Sequence, residues 1–382
     1  MDLCLGGLTD ELHAGHSWRR IVSGREGHWP GRSDHAALAM PLGEVRLFGG
    51  VNKGAWCYGD TWKSSDAGAT WSPVPRSGAP RWGPRSGHTV VLLDEPAPCR
   101  IVLLGGVGRA KLFDDVWESV DGGDSWHERC GQSLWRARYG HRTVALRGGR
   151  LFMCGGVTTG GCLADAWHGL DGGASWAPAG STGNMPWQAR AAHGLVRLKL
   201  PAGHDVLVLL AGTGESGFLN DVWCSEDQGS SWHLTLEQAP WSARSGPAVV
   251  PLAGGRLLLL GGYTGCEYLA DVWVGSDAGS SWTQLTAAAP WTPRYCHACV
   301  PMNEEGSALL LLGGHAQDSS LCDVWESPSR SEVLCHAIVM MLLGRRIEKR
   351  HGVTREIWRR YVVPYLLCAD ILAMPTDLKK KK

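Results

Sequence analysis

The sequence predicts an all-β protein. Six blades of four antiparallel strands close into a β-propeller through a strand from the N-terminus, and a short α-helical C-terminal tail follows. Three observations predict it. First, Asp-x-Trp recurs at Asp60, Asp115, Asp165, Asp221, Asp271 and Asp323, a spacing of about 50 residues that marks a repeat architecture. Second, each unit carries four short apolar runs bounded by Gly, Pro and Asp, the pattern of short buried strands. Third, the sixth unit lacks its last piece, and Gly15-His16-Ser17-Trp18 at the N-terminus has the form of that piece. Four antiparallel strands repeated six times describe a propeller.

Each unit opens on Trp-x-x-Arg-x-x-His: Trp29/Arg32/His35, Trp82/Arg85/His88, Trp135/Arg138/His141, Trp187/Arg190/His193 and Trp291/Arg294/His297. The fifth copy, Trp241/Arg244, has Pro247 in place of His. Strand a follows. Strand b ends in a glycine pair, as at Gly49-Gly50 or Gly261-Gly262; the fourth copy has Ala211-Gly212 instead. A loop of eight or nine residues leads to strand c at Asp-x-Trp. A turn then leads to strand d, whose tryptophan is Trp71, Trp126, Trp176, Trp232 or Trp282. The 52 glycines suit the many tight turns. Of 20 tryptophans, only Trp56 and Trp358 fall outside the repeated positions, so the excess is architectural first. A d strand taken from the N-terminus leaves the last blade no free edge.

The propeller is expected over residues 1–330 and a helical basic extension over 331–382, where an apolar run at 333–343 precedes charged residues and four terminal lysines. Lys plus Arg and Asp plus Glu each count 37, which argues against a general nucleic-acid or anionic-membrane binder. No window reaches the ~18 apolar residues of a membrane span, and the N-terminus lacks the pattern of a signal peptide. The 13 cysteines are odd in number and off the repeat period, so they read as reduced thiols in a cytoplasmic protein. Cys296-x-x-Cys299 has no second ligand pair for zinc. No metal or cofactor is expected, and the chain reads as a monomer.

Two family resemblances rest on these residues. The glycine pair, Asp-x-Trp and the Arg-x-x-His of the next unit resemble kelch repeats. The box Ser-x-Asp-x-Gly-x-Ser/Thr-Trp resembles the Asp-box (BNR) of sialidase-type propellers. It is clearest at Ser64-Asp66-Gly68-Thr70-Trp71, Ser119-Asp121-Gly123-Ser125-Trp126 and Ser225-Asp227-Gly229-Ser231-Trp232. Gly169 and Gly275 replace the first Ser in the other two copies. Together they cover residues 15–327. The resemblance implies that Asp66, Asp121, Asp171, Asp227 and Asp277 are structural, on the face away from the binding site. It also implies that the d–a and b–c connections share the opposite face.

On that face the kelch resemblance makes Arg32, Arg85, Arg138, Arg190, Arg244 and Arg294 candidates for holding an acidic protein segment; the alternative is that each stacks on a Trp or pairs with a nearby repeat Asp. The b–c loops differ in every unit at nearly constant length, as a binding surface on a rigid scaffold does. Trp56, Tyr263 and Tyr268 are their aromatic candidates, with Phe113 and Phe218. The expected function is a non-catalytic scaffold that binds a protein partner. The rival is a sialidase-like glycoside hydrolase or glycan-binding propeller, for which Tyr139, Tyr295, Glu215 and Glu267 are the singular residues.

Overall fold

The computed structural model describes residues 15, 17–22, 28–75, 82–93, 99–131, 133–180, 185–200 and 203–328. The helical tail expected over 331–382 lies outside them. The described chain is nearly all β, its helices being single 3-10 turns such as Pro41–Gly43. No described helix is long and apolar enough to cross a membrane.

Among the described residues, most strands form four-stranded antiparallel sheets, one per repeat, and short two- and three-stranded sheets join the connections. The first runs Ala36–Ala39, Val45–Phe48, Thr61–Ser64, Ser72–Pro73. The next, Thr89–Leu92, Ile101–Leu104, Val116–Ser119 and His127–Cys130, repeats it. The third to fifth start at Arg142–Ala145, Gly194–Lys199 and Ala248–Leu252. The second strands of the first three sheets, such as Ile101–Leu104 and Leu151–Cys154, are buried at every residue. Burial on both faces explains why they read as continuous apolar runs rather than alternating ones.

In the last sheet, Ala298–Pro301, Leu309–His315 and Ser320–Ser327 are joined by Arg19–Val22 from the other end of the chain. Arg19 lies opposite Glu326 and Arg20 opposite Trp325. The hairpin of the other units is thereby assembled from both ends. Gly15 N–H donates to Ser327 Oγ at 2.9 Å, as Gly68 N–H donates to Ser64 Oγ at 2.8 Å. Trp18 Nε1 donates to Gly15 O at 2.8 Å, as Trp71 does to Gly68 O at 2.9 Å.

The opening tryptophan of each unit meets the strand-d tryptophan edge to face. Trp29–Trp71, Trp82–Trp126 and Trp135–Trp176 have centroids 5.8–6.2 Å apart at 81–87°. Trp187–Trp232 and Trp241–Trp282 repeat the pairing, and Trp291 finds its partner in Trp18 at 6.3 Å and 86°. Such pairs contribute about 1 kcal/mol each beyond area burial.

The first strands contact one another in sequence, and Ala298–Pro301 contacts Ala36–Ala39. Just ahead of them, six residues with positive φ (Asp34, Gly87, Gly140, Ala192, Gly246 and Cys296) are linked by backbone hydrogen bonds. Gly87 donates to Asp34, Gly140 to Gly87, Ala192 to Gly140, Gly246 to Ala192, Cys296 to Gly246 and Asp34 to Cys296, at 2.8–3.0 Å. The cycle returns to its start.

The Asp-containing hairpins fall into two kinds. Where Ser precedes, the carboxylate closes the turn: Asp66 accepts from Ser64 Oγ, Thr70 N–H and Thr70 Oγ1 at 2.6–2.8 Å, and Asp121 and Asp227 repeat this. Asp171 and Asp277, expected to be structural as the others are, sit in a different turn. They take positive φ themselves (51° and 49°), and their strands pair further out, to Leu170↔Ser175 and Ser276↔Ser281. The cause is the glycine. A Cβ on Gly169 or Gly275 would meet the Trp176 or Trp282 ring at 2.9–3.1 Å. Without the serine the hairpin tightens.

Candidate functional site

The d–a and b–c connections of each unit are joined backbone to backbone. Ser33 bridges Val51, Ser86 bridges Val107, Tyr139 bridges Val157, Ser245 bridges Tyr263 and Tyr295 bridges His315. Arg190–Ala191 does the same with Thr213–Gly214 in the fourth unit. These connections form the candidate surface.

The six repeated arginines lie beneath it, not on it. Arg32, Arg85, Arg138, Arg190, Arg244 and Arg294 are all 0% exposed. Arg138 shows the pattern. Its NH1 and NH2 fork onto both Asp165 oxygens at 2.6 and 2.7 Å, NH1 also donates to Gly155 O, and Nε donates to Arg136 O. The others pair with Asp60, Asp115, Asp221, Asp271 and Asp323. The second oxygen of each Asp also accepts the indole N–H of the Trp two residues on. Burial works to raise the Asp60 and Asp323 carboxyls, but the arginine's hydrogen bonds and charge outweigh it and hold both below the usual range. The expectation that these arginines hold a partner is therefore corrected. A bidentate, buried guanidinium presents no fork to solvent.

The repeated histidines are buried too, at 0–8% exposure for His35, His88, His141, His193 and His297. Burial first, then the neighbouring arginine, pushes His35 and His88 down to about 3, and the other three well below the ordinary value. Each ring packs on the first glycine of the preceding unit. A Cβ there would lie 2.8–3.1 Å from Cε1 of His88, His141, His193, His297 or His35, at Gly49, Gly105, Gly155, Gly261 and Gly313. The equivalent of that glycine before Pro247 is Ala211, at φ 58°. The two irregularities of the repeat are thus one: the unit with a Cβ at this position is followed by the unit without a histidine.

The loops carry the exposed side chains. Trp56 is 61% exposed. Its turn is fixed by Asn52, whose Oδ1 accepts Trp56 N–H at 2.9 Å and whose backbone bonds to Ala55 and Trp56. Exposed Lys53 shares that turn, and exposed Arg109 and Lys111 lie on the next unit's loop. The two loops touch, Cys57 Sγ lying 3.7 Å from Val107 O. On the other side Lys53 Nζ donates to Asp318 O at 2.7 Å. Sequence reasoning missed Lys53, Arg109 and Lys111, because a lone loop cation has no pattern to mark it.

Tyr263 and Tyr268 are half-buried and packed at a tilt, with centroids 4.9 Å apart and rings at 43°. Tyr295 and His315 complete the cluster, and Phe218 meets Tyr263 edge to face. Phe113 is buried, held between Arg85 at 3.7 Å and Lys111 at 4.9 Å, so it is not an exposed anchor. Glu215 occupies the turn between Thr213–Gly214 and Gly217–Phe218, and Glu267 lies exposed in the turn after Thr264.

No family model matches the chain. Two curated sequences, both xyloglucanase Xgh74A of Acetivibrio thermocellus, are 26% identical to it over 166 residues. The match takes in 39% of this chain and 19% of the relatives, so it spans about a fifth of their length.

Proposed function

We propose that the protein is a non-catalytic binding module, a six-bladed β-propeller of kelch-like and Asp-box-like repeats closed by its N-terminal strand, which holds an acidic protein segment on its b–c loop face. The hydrogen-bond cycle at the first strands and the Trp18–Trp291 pair support the ring. The observation that carries the function is the exposed Trp56, set on a fixed turn with Lys53 beside it and Arg109 and Lys111 on the adjoining loop. An exposed tryptophan with cations on its own and the adjoining loop offers an apolar anchor and charge complementarity on one face. Ten described cysteines are free thiols, Cys154 and Cys224 buried, which supports a reducing, cytoplasmic setting.

Titration of a glutamate-rich peptide, read by tryptophan fluorescence and calorimetry, tests this reading. Trp56→Ala and the combined Lys53→Ala/Lys111→Ala variant lose binding while the melting temperature holds. Equal affinity in all three proteins would refute it.

A second reading, glycan binding or glycoside hydrolysis, is favoured by the similarity to xyloglucanase. The Tyr263–Tyr268–Tyr295 cluster offers stacking surface for sugar rings, and Glu215 and Glu267 are its acid candidates. Release of reducing sugar from xyloglucan, abolished by Glu215→Gln or Glu267→Gln, would replace the first reading with this one.

A further inference from the structure

A central cavity of about 240 Å³ is lined by the first strands of all six units. The residue that opens each of these strands is Ala36, Thr89, Arg142, Gly194, Ala248 or Ala298. They are equivalent by register, each lying opposite the last apolar residue before the glycine pair (Phe48, Leu104, Cys154, Leu210, Leu260, Leu312). Five of the six are small. The sixth is an arginine, two residues inside the hydrogen-bonded cycle, roughly 7 Å along the strand.

Arg142 differs from the repeated arginines. Its hydrogen bond is a 3.5 Å contact of NH1 with His141 O, too long to count for much. Among the described residues no carboxylate pairs with it. The small residues at the equivalent positions leave open space between the six strands, and Arg142 lines it. The hydroxyls of Thr89 and Thr143 line the same space, bonded to each other at 2.9 Å, with Thr89 also 3.1 Å from His141 Nε2. The histidines nearby are neutral and add no positive charge of their own: burial first, with Arg142 itself contributing, keeps His141 and His193 far below the ordinary value. A half-buried cation facing a polar cavity without an anion is an incomplete pair.

We infer that the central channel is an oxyanion site, in which the Arg142 guanidinium, flanked by the Thr89 and Thr143 hydroxyls, binds a carboxylate or phosphate group. The planar fork suits a two-oxygen ligand, and the group arrives either on a small free anion or on an acidic side chain of a partner. The site is separate from the Trp56 patch and stands or falls independently of it.

Calorimetry and thermal shift with inorganic phosphate, with succinate and with a glutamate-rich peptide test the site. Arg142→Ala is a fair variant because alanine already occupies that position in three units. It is expected to weaken binding of at least one probe by roughly tenfold or more, while Lys53→Ala/Lys111→Ala retains the binding of phosphate or succinate. Arg142→Lys, which keeps the charge but not the fork, falls between. Dependence of phosphate or succinate binding on Arg142 identifies a free anion as occupant. Dependence confined to the peptide identifies a partner's carboxylate. Identical titrations of wild type and Arg142→Ala with all three probes would overturn the site.

Discussion

Two arginines four residues apart in the third unit sit in opposite circumstances. Arg138 is fully buried, forks onto Asp165 and donates to two carbonyls. Arg142 is half-buried, faces the central cavity and has one long contact with a backbone oxygen. Arg138 has five equivalents in the other units; Arg142 has none. In a repeat protein each unit packs on its neighbours through the same contacts, so a residue written six times is doing what the architecture needs. A residue written once, where its equivalents are small, is free to do something else. The same contrast separates the buried and half-buried tryptophans of the repeat from Trp56, which is 61% exposed.

The comparison is tested most strongly by acid. Each buried histidine has a folded pKa below its unfolded value of about 6.5, so the unfolded chain binds more protons as pH falls. Stability is full above about 6.5 and is lost on the way down toward about 3, the folded value of His35 and His88. Each histidine contributes about 1 kcal/mol per pH unit inside that window. Denaturant midpoints should therefore fall steeply between pH 6 and pH 4. A flat profile there would mean the repeated histidines are not held neutral. The depressed Asp60 and Asp323 carboxyls add a further loss only below about pH 4.

Removing residues 1–22 takes away Trp18 and the outer strand of the last sheet. Burial of one tryptophan, ~200 Å² at ~25 cal/mol/Å², puts the loss near 5 kcal/mol as an upper figure. Unfolding should stay cooperative at a much lower melting temperature. An unchanged temperature would break the account of closure. Arg138→Ala leaves Asp165 and the Gly155 carbonyl without their partner, at a cost of about 3–5 kcal/mol. Arg142→Ala, by contrast, should move the denaturant midpoint little. Equal losses from the two would erase the distinction between them.

A smaller effect sharpens the reading of the fourth and fifth units. Pro247→His alone puts a ring against the Ala211 methyl and destabilises by about 1–3 kcal/mol, as overpacking does. Adding Ala211→Gly should restore most of that loss, measured by chemical denaturation as a double-mutant cycle. Independent, additive effects would show that the two departures are unrelated.

Much of the fold was legible in the sequence because its signals repeat. Six Asp-x-Trp copies and the misplaced Gly15–Trp18 foretold sheets of four strands and the pairing of Arg19–Val22 with Ser320–Ser327. The arginines were harder. Two six-fold series were visible, but Arg138 and Asp165 stand 27 residues apart, and only the fold brings them to 2.6 Å. Read alone, a ring of arginines looks like a binding surface; read with its aspartates, it is a set of internal clamps. Trp56 was legible because it broke the tryptophan pattern. Arg142 was harder: the residue after each repeated His is small in the other units, but nothing in the sequence says that the six positions share a cavity.

The central claim is that singular residues carry binding and repeated ones carry the ring. Parallel measurement of melting temperature and glutamate-rich-peptide affinity on Trp56→Ala and Arg138→Ala tests it most directly. The account predicts a wild-type melting temperature with lost affinity for Trp56→Ala, and a sharply lowered melting temperature for Arg138→Ala. A folded, thermally unchanged Arg138→Ala that no longer binds, beside a Trp56→Ala that binds normally, would contradict it.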